Sequence, residues 1–152
     1  MTESTGVPMN PSYLIGAYLA VNAVSDAYFL LDAPGCAPSK AQLIHGRHDL
    51  GSDLLDCEGT HRIQYSGTRV TTVATNLEDK LVEDVKRLAE TPGCGVVMMS
   101  SMPMCNILGT DYERLLRKAF PNGGVPAYIV PSRISGDWLD GYEAILETLA
   151  SG

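Results

Sequence analysis

Four cysteines and three histidines carry most of the chemistry open to this 152-residue chain. Thiolates are soft ligands that suit zinc, copper(I) or iron–sulfur clusters, and a thiol beside an imidazole can instead act as a nucleophile. Cys36, Cys57, Cys94 and Cys105 form no C-x-x-C pair and are too far apart for a zinc knuckle or ribbon. His45, His48 and His61 flank Cys57. A mixed Cys/His zinc site therefore stays open, beside the plainer reading of three solvated histidines. A nucleophilic Cys105 would need one of them as its base. The bland alternative for every cysteine is burial as a small hydrophobe. Choosing among these depends on where the fold puts each thiol.

The positioning elements alternate between helix and strand. Leu14, Ala17, Tyr18, Val21 and Val24 recur at intervals of three and four, which predicts a largely buried helix over Tyr13–Ala27. The short apolar run Tyr28 to Leu31 reads as a buried strand, closed by a turn at Asp32, Ala33, Pro34 and Gly35. Arg69 to Val73 is β-branched enough for a second strand. The stretch between Cys36 and Ser66 has weak patterning. Leu77, Leu81, Val85 and Leu88, with charges between them, predict an amphipathic helix that Pro92 and Gly93 stop. Gly95 to Ser100 is a third strand. Thr110 to Glu113 has capping-box form and opens a helix to Phe120. Val125 to Val130 reads as a fourth strand, and Trp138, Leu139, Tyr142, Ile145, Leu146 and Leu149 mark a last helix.

Continuously apolar strands separated by helices imply a parallel sheet covered on both faces. The fold class expected is α/β: a three-layer, Rossmann-like α/β/α domain over residues 13–152, with a mainly parallel sheet of four or five strands, preceded by a flexible segment at 1–12. In such sheets ligands gather beyond the carboxyl ends of the strands. Cys36 follows the first strand and Cys105 the third, so both belong at that edge; Cys57 can join them, and Cys94 precedes its strand and belongs at the opposite edge. Met98, Met99, Met102 and Met104 form a second soft cluster, which alternate strand positions more simply send into the core.

Composition excludes several classes. A hydrophobic content of 45% supports a real core. A net charge of -7 with no run of Lys or Arg argues against nucleic acid or an anionic membrane as partner. The longest apolar stretch, Tyr13 to Val24, is too short to span a bilayer, and MTESTGVP lacks the basic start of a signal peptide. A cytoplasmic location is expected, where a disulfide framework is not. No G-x-S-x-G elbow, phosphate-binding G-x-x-x-x-G-K-[ST] loop or G-x-G-x-x-G element occurs.

Taken together, Pro34-Gly35-Cys36-Ala37-Pro38 after a first strand, the middle Cys57, Thr72 with Asn76-Leu77-Glu78, and the run Cys105 to Asp111 (CNILGTD) resemble the N-terminal domain of the nitrogenase component 1 family. That family includes the molybdenum–iron protein subunits and the light-independent protochlorophyllide reductase subunits. The stretch Val125 to Gly136, followed by Gly141, fits the same pattern, so the likeness runs from about Tyr13 to Ala150. The resemblance implies an iron–sulfur cluster, of the 4Fe-4S or P-cluster type, near a subunit interface. Carried over by position, its ligands are Cys36, Cys57 and Cys105; Cys94 has no counterpart. The cluster would relay electrons from an ATP-dependent iron protein to a substrate site, with a homologous subunit or a second copy of this chain completing it. Asp111 and Glu113 are expected to cap the helix after Cys105 rather than ligate metal.

Family chains contain several such domains. The residues that would hold an iron–molybdenum-type cofactor or a tetrapyrrole are absent, and the intervals between the three cysteines are shorter than usual. The chain is expected to be an excised N-terminal domain or a stand-alone relative, inactive as an isolated enzyme and prone to losing its cluster. The competing readings are a non-catalytic α/β binding or assembly domain with structural cysteines, and a zinc-binding domain.

Overall fold

The computed structural model of the chain describes residues 11–35, 61–68, 77–133 and 135–152. Four strands among them form one parallel sheet in the order β2-β1-β3-β4. The strands are β1 (Ala27–Asp32), β2 (Ile63–Tyr65), β3 (Val96–Ser101) and β4 (Ala127–Ile129). Five helices accompany them: α1 (Tyr13–Ala23), α2 (Leu77–Ala89), α3 (Pro103–Asn106), α4 (Tyr112–Ala119) and α5 (Trp138–Ser151). The α/β class expected from the sequence is the one observed.

β1 and β3 are buried along all six residues each, because both faces of the sheet are covered. Alternation of side chains then splits the core in two. Phe29, Leu31 and Met98 point to a layer made with Tyr18 and Val21 of α1 and Ile145 of α5. Tyr28, Leu30, Val97 and Met99 point to a layer made with Leu81 and Val85 of α2 and Leu115 of α4. Met98 and Met99 therefore fill the two cores as expected, whereas Met104 is exposed.

α1 and α5 touch backbone to backbone. A Cβ added to Gly16 would lie 1.6 Å from the Trp138 carbonyl oxygen, and one on Gly141 would lie 1.9 Å from that of Tyr13. Only glycine permits this approach. Tyr18 adds an edge-to-face contact with Phe29, ring centres 6.1 Å apart. Below α1 the buried Arg62 donates to the carbonyls of Val21, Asn22 and Val24 at the helix end, and to that of Ala27 at the start of β1.

Several boundaries differ from the sequence reading. α1 stops at Ala23 rather than Ala27, and Ala27 already belongs to β1. The strand beside β1 is Ile63–Tyr65, in the weakly patterned stretch; the expected strand at Arg69 to Val73 lies outside the described residues. α4 begins at Tyr112 with Asp111 as its cap, not Thr110: the Asp111 side chain accepts from the Arg114 amide at 2.9 Å. No helix among the described residues is long and apolar enough to cross a membrane.

Candidate functional site at the carboxyl edge of the sheet

From β1 the chain reaches β2 on one flank and β3 on the other, so the strand order reverses between β1 and β3. A crevice outside the carboxyl ends of two such strands is the place where open α/β sheets bind ligands. Here the last residues of the two strands, Asp32 and Ser101, are register partners. The Met102 amide then donates to the Asp32 carbonyl at 2.9 Å and carries the ladder one residue further.

Asp32 is fully buried. A carboxylate in that position requires hydrogen-bond donors, and hydroxyls supply them. The Ser66 and Thr68 hydroxyls donate to its Oδ1 at 2.6 and 2.7 Å, and the Tyr112 hydroxyl donates to Oδ2 at 2.7 Å. Ser66 Oγ also accepts from the Ala33 amide at 3.1 Å, which fixes the start of the loop leading to Cys36. Burial, and then the hydrogen bond to Asp32 and its charge, push the Tyr112 phenol well above its ordinary range; a hydrogen bond with Ser101 pulls the other way. The phenol therefore stays protonated and remains a donor.

Cys105 sits in the single turn of α3, which Pro103 starts at a position where a missing amide proton costs nothing. Its amide donates to the Met102 carbonyl at 2.8 Å and the residue is 3% exposed. Burial, with the Asp32 charge second, pushes the thiol up to about 11. Cys105 lies between the third strand and the helix that follows, at the edge expected from the sequence, and is buried within a helical turn there. On the next residue, Asn106 Oδ1 accepts from the Ser101 hydroxyl. Asp32, Ser101, Cys105 and Tyr112 thus form one polar cluster at the reversal point.

Cys36, Cys57, His45 and His48 lie outside the described residues. His61 immediately precedes β2, at the amino edge, where its Nδ1 accepts from the Ile63 amide at 3.1 Å. It is at the far side of the sheet from Cys105 and cannot be that thiol's base. Cys94 also lies at the amino edge, as expected, with its thiol pushed up to about 11 by burial first and by Asp26 second. Among the described residues, no three of His, Cys, Asp and Glu are grouped as a metal site. Glu113 faces Arg117 on α4. Sequence reasoning missed Asp32, which reads as a turn residue beside Pro34 and Gly35; the signal was a lone acid ending an otherwise apolar run.

No family model matches the chain, and no curated protein does. Solved structures do. One described as nitrogenase Cp1 at pH 6.5 superposes with a TM-score of 0.69 at 13% identity, covering 99% of this chain and 33% of the other. A second, nitrogenase Cp1 at pH 5, gives 0.65 at 12% identity, covering 99% of this chain and 32% of that one. The chain spans about a third of the length of these nitrogenase chains. It has the fold of a nitrogenase Cp1 domain.

Proposed function

We propose that the chain is the cluster-binding domain of a nitrogenase-like oxidoreductase, with Cys36, Cys57 and Cys105 as ligands of a 4Fe-4S or P-cluster-like centre. The observation that supports this reading best is the place of Cys105: a thiol at the reversal point of a sheet whose fold matches nitrogenase Cp1. In sequence, Cys36 follows the end of β1 by four residues and Cys105 follows the end of β3 by four, and those two strand ends are register partners. Clusters of this kind are held by Cys thiolates, and Cys105 is the one of the three proposed ligands that lies among the described residues. A bound cluster would supply one-electron storage and relay.

The chain's own residues do the holding. Asp32, fixed by three hydroxyls, locks the ends of β1 and β2 to α4 and so sets the frame from which the Cys36 and Cys105 segments emerge. Pro103 and the α3 turn orient Cys105. An ATP-dependent iron protein as electron donor, and a homologous subunit or second copy supplying the remaining ligands, complete the reading.

Anaerobic purification with iron and sulfide tests it. Iron and acid-labile sulfide in equal amounts, with a brown colour that Cys105→Ser bleaches, are expected. A colourless, iron-free chain after anaerobic reconstitution would sink the proposal. A second reading is favoured by the burial of Cys105: a non-catalytic binding or assembly domain in which that thiol packs as a small hydrophobe. There, Cys105→Ala changes no spectroscopic feature, and elemental analysis showing zinc in place of iron would favour the zinc-domain reading.

A further inference from the structure

β4 is an edge strand: β3 flanks it on one side and, among the described residues, no strand flanks it on the other. Its backbone divides accordingly. The Val97 amide donates to the Pro126 carbonyl and the Val130 amide to the Met99 carbonyl, so Pro126 and Val130 bond across to β3. Alternate residues of a strand bond the same neighbour. Ala127 and Ile129 therefore turn their amides and carbonyls to the open side. Such an edge is a template for another strand unless it is covered or charged, and this one is neither. It floors a groove of about 810 Å³ between α4 and α5, with Leu116 on one wall and Ala144 on the other.

The charges of α4 say what fits the groove. Arg114 and Lys118 reach back to Glu78 and Asp79 of α2, so that row is spent inside the domain. Glu113 and Arg117 form a second row at the groove, exposed and 3.5 Å from each other. An acid followed one turn later by a base is complementary to an antiparallel copy of itself, Glu113 against the partner's Arg117 and Arg117 against the partner's Glu113. A two-fold axis through Tyr128, perpendicular to the sheet, produces that arrangement and pairs the strands at the same time. It keeps α4 beside its copy on one face and runs β4 antiparallel to its copy. Ala127 then exchanges both backbone hydrogen bonds with the partner's Ile129, and Ile129 with the partner's Ala127. Tyr128 meets the partner's Tyr128 as the closer, non-bonded cross-strand pair. The levels agree: Leu115, midway between Glu113 and Arg117, adjoins Leu116, which lines the groove together with Tyr128. On the opposite face α5 brings Glu147 to the groove, a like charge for its own copy that makes the association reversible.

We propose that a second copy of this chain docks in this groove, joining the two sheets into one across β4. The surface is the lateral edge of the sheet rather than the carboxyl edge that carries Cys105, and it needs no cluster, so its fate is independent of the function proposed above.

The test is sedimentation velocity of the full chain over a concentration series, in reducing buffer without metal, so that neither a disulfide nor a cluster can join two copies. A monomer–dimer equilibrium is expected. Arg117→Glu and Glu113→Arg each set like charges across the interface and should weaken the dimer about tenfold or more, while the double swap Glu113→Arg/Arg117→Glu should restore most of it. Ile129→Pro removes an outward amide without touching the ladder to β3 and should also favour the monomer. Because both charged side chains are exposed and such pairs contribute little to folding, thermal unfolding of the charge variants should stay near that of the native chain. A chain that is monomeric throughout, a dimer indifferent to the single reversals, or a double swap that restores nothing would overturn the proposal.

Discussion

The Tyr112 hydroxyl donates to Asp32 Oδ2 at 2.7 Å across 80 residues of sequence. That one bond joins the end of β1 to the start of α4, and it brackets the segment that carries Cys105. Two hydroxyls from the segment after β2 complete the carboxylate's shell.

Removing the two ends of that bond should have unequal effects. Tyr112→Phe loses one donor and is expected to destabilise by about 1 kcal/mol. Asp32→Ala leaves three hydroxyls facing an apolar gap and is expected to cost about 3 kcal/mol. Urea unfolding of both variants and of the double variant measures the coupling; additive effects would show that the bond contributes nothing.

The crossing of α1 and α5 sets a second comparison. Gly16→Ala must push a methyl into the Trp138 carbonyl, 1.6 Å from its ideal position, and should cost about 3 kcal/mol. Gly93→Ala meets no atom within 4 Å and is strained only by a φ of +85°. It should cost about 1 kcal/mol. Equal losses in thermal unfolding would mean that the two helices yield easily.

Arg62 is the third test. Arg62→Met removes the donors for carbonyls at the end of α1 and is expected to destabilise by about 3 kcal/mol. Arg62→Lys should recover less than half of that, because a single ammonium cannot reproduce the planar fork. Hydrogen exchange near the end of α1 reads the same effect locally.

Alkaline pH supplies the fourth. Cys94 and Cys105 both have thiols held up at about 11, against 9.0 for an unburied thiol. A raised value means that the folded chain binds the proton more tightly than the unfolded one. The associated stability is complete below 9.0 and declines as pH rises from there to about 11. Denaturation over that window should show a steeper loss for the native chain than for Cys94→Ala/Cys105→Ala. Alkylation of the metal-free protein by iodoacetamide should be slow at neutral pH, since the thiolate is the reactive form.

What the sequence revealed follows from how far each signal extends. Leu77, Leu81, Val85 and Leu88 repeat over three turns, and α2 lies where they put it. The apolar runs of β1 and β3 were equally plain because both faces are buried. β2 was not legible: three residues, of which only Ile63 is buried, carry no periodicity. Thr110 and Asp111 are both good caps, and only geometry selects Asp111. The edge position of Cys105 came through from strand order alone. The partnership of Asp32 with Tyr112, Ser66 and Thr68 did not, since its hydroxyls lie 34, 36 and 80 residues away in two separate segments and leave no local spacing to read.

The backbone contact between Gly16 and Trp138 also bears on how the chain is made. α1 and β1 emerge early from the ribosome, yet the layer holding Tyr18 and Phe29 closes only once residues 138–151 have been synthesised. Until then that half of the sheet exposes apolar side chains, the condition in which nascent chains aggregate or recruit chaperones. The layer under α2 and α4, whose members run from Tyr28 to Ile129, can close first. Synthesis therefore imposes an order on the two cores, and a ribosome stalled before Trp138 would present a half-sealed domain.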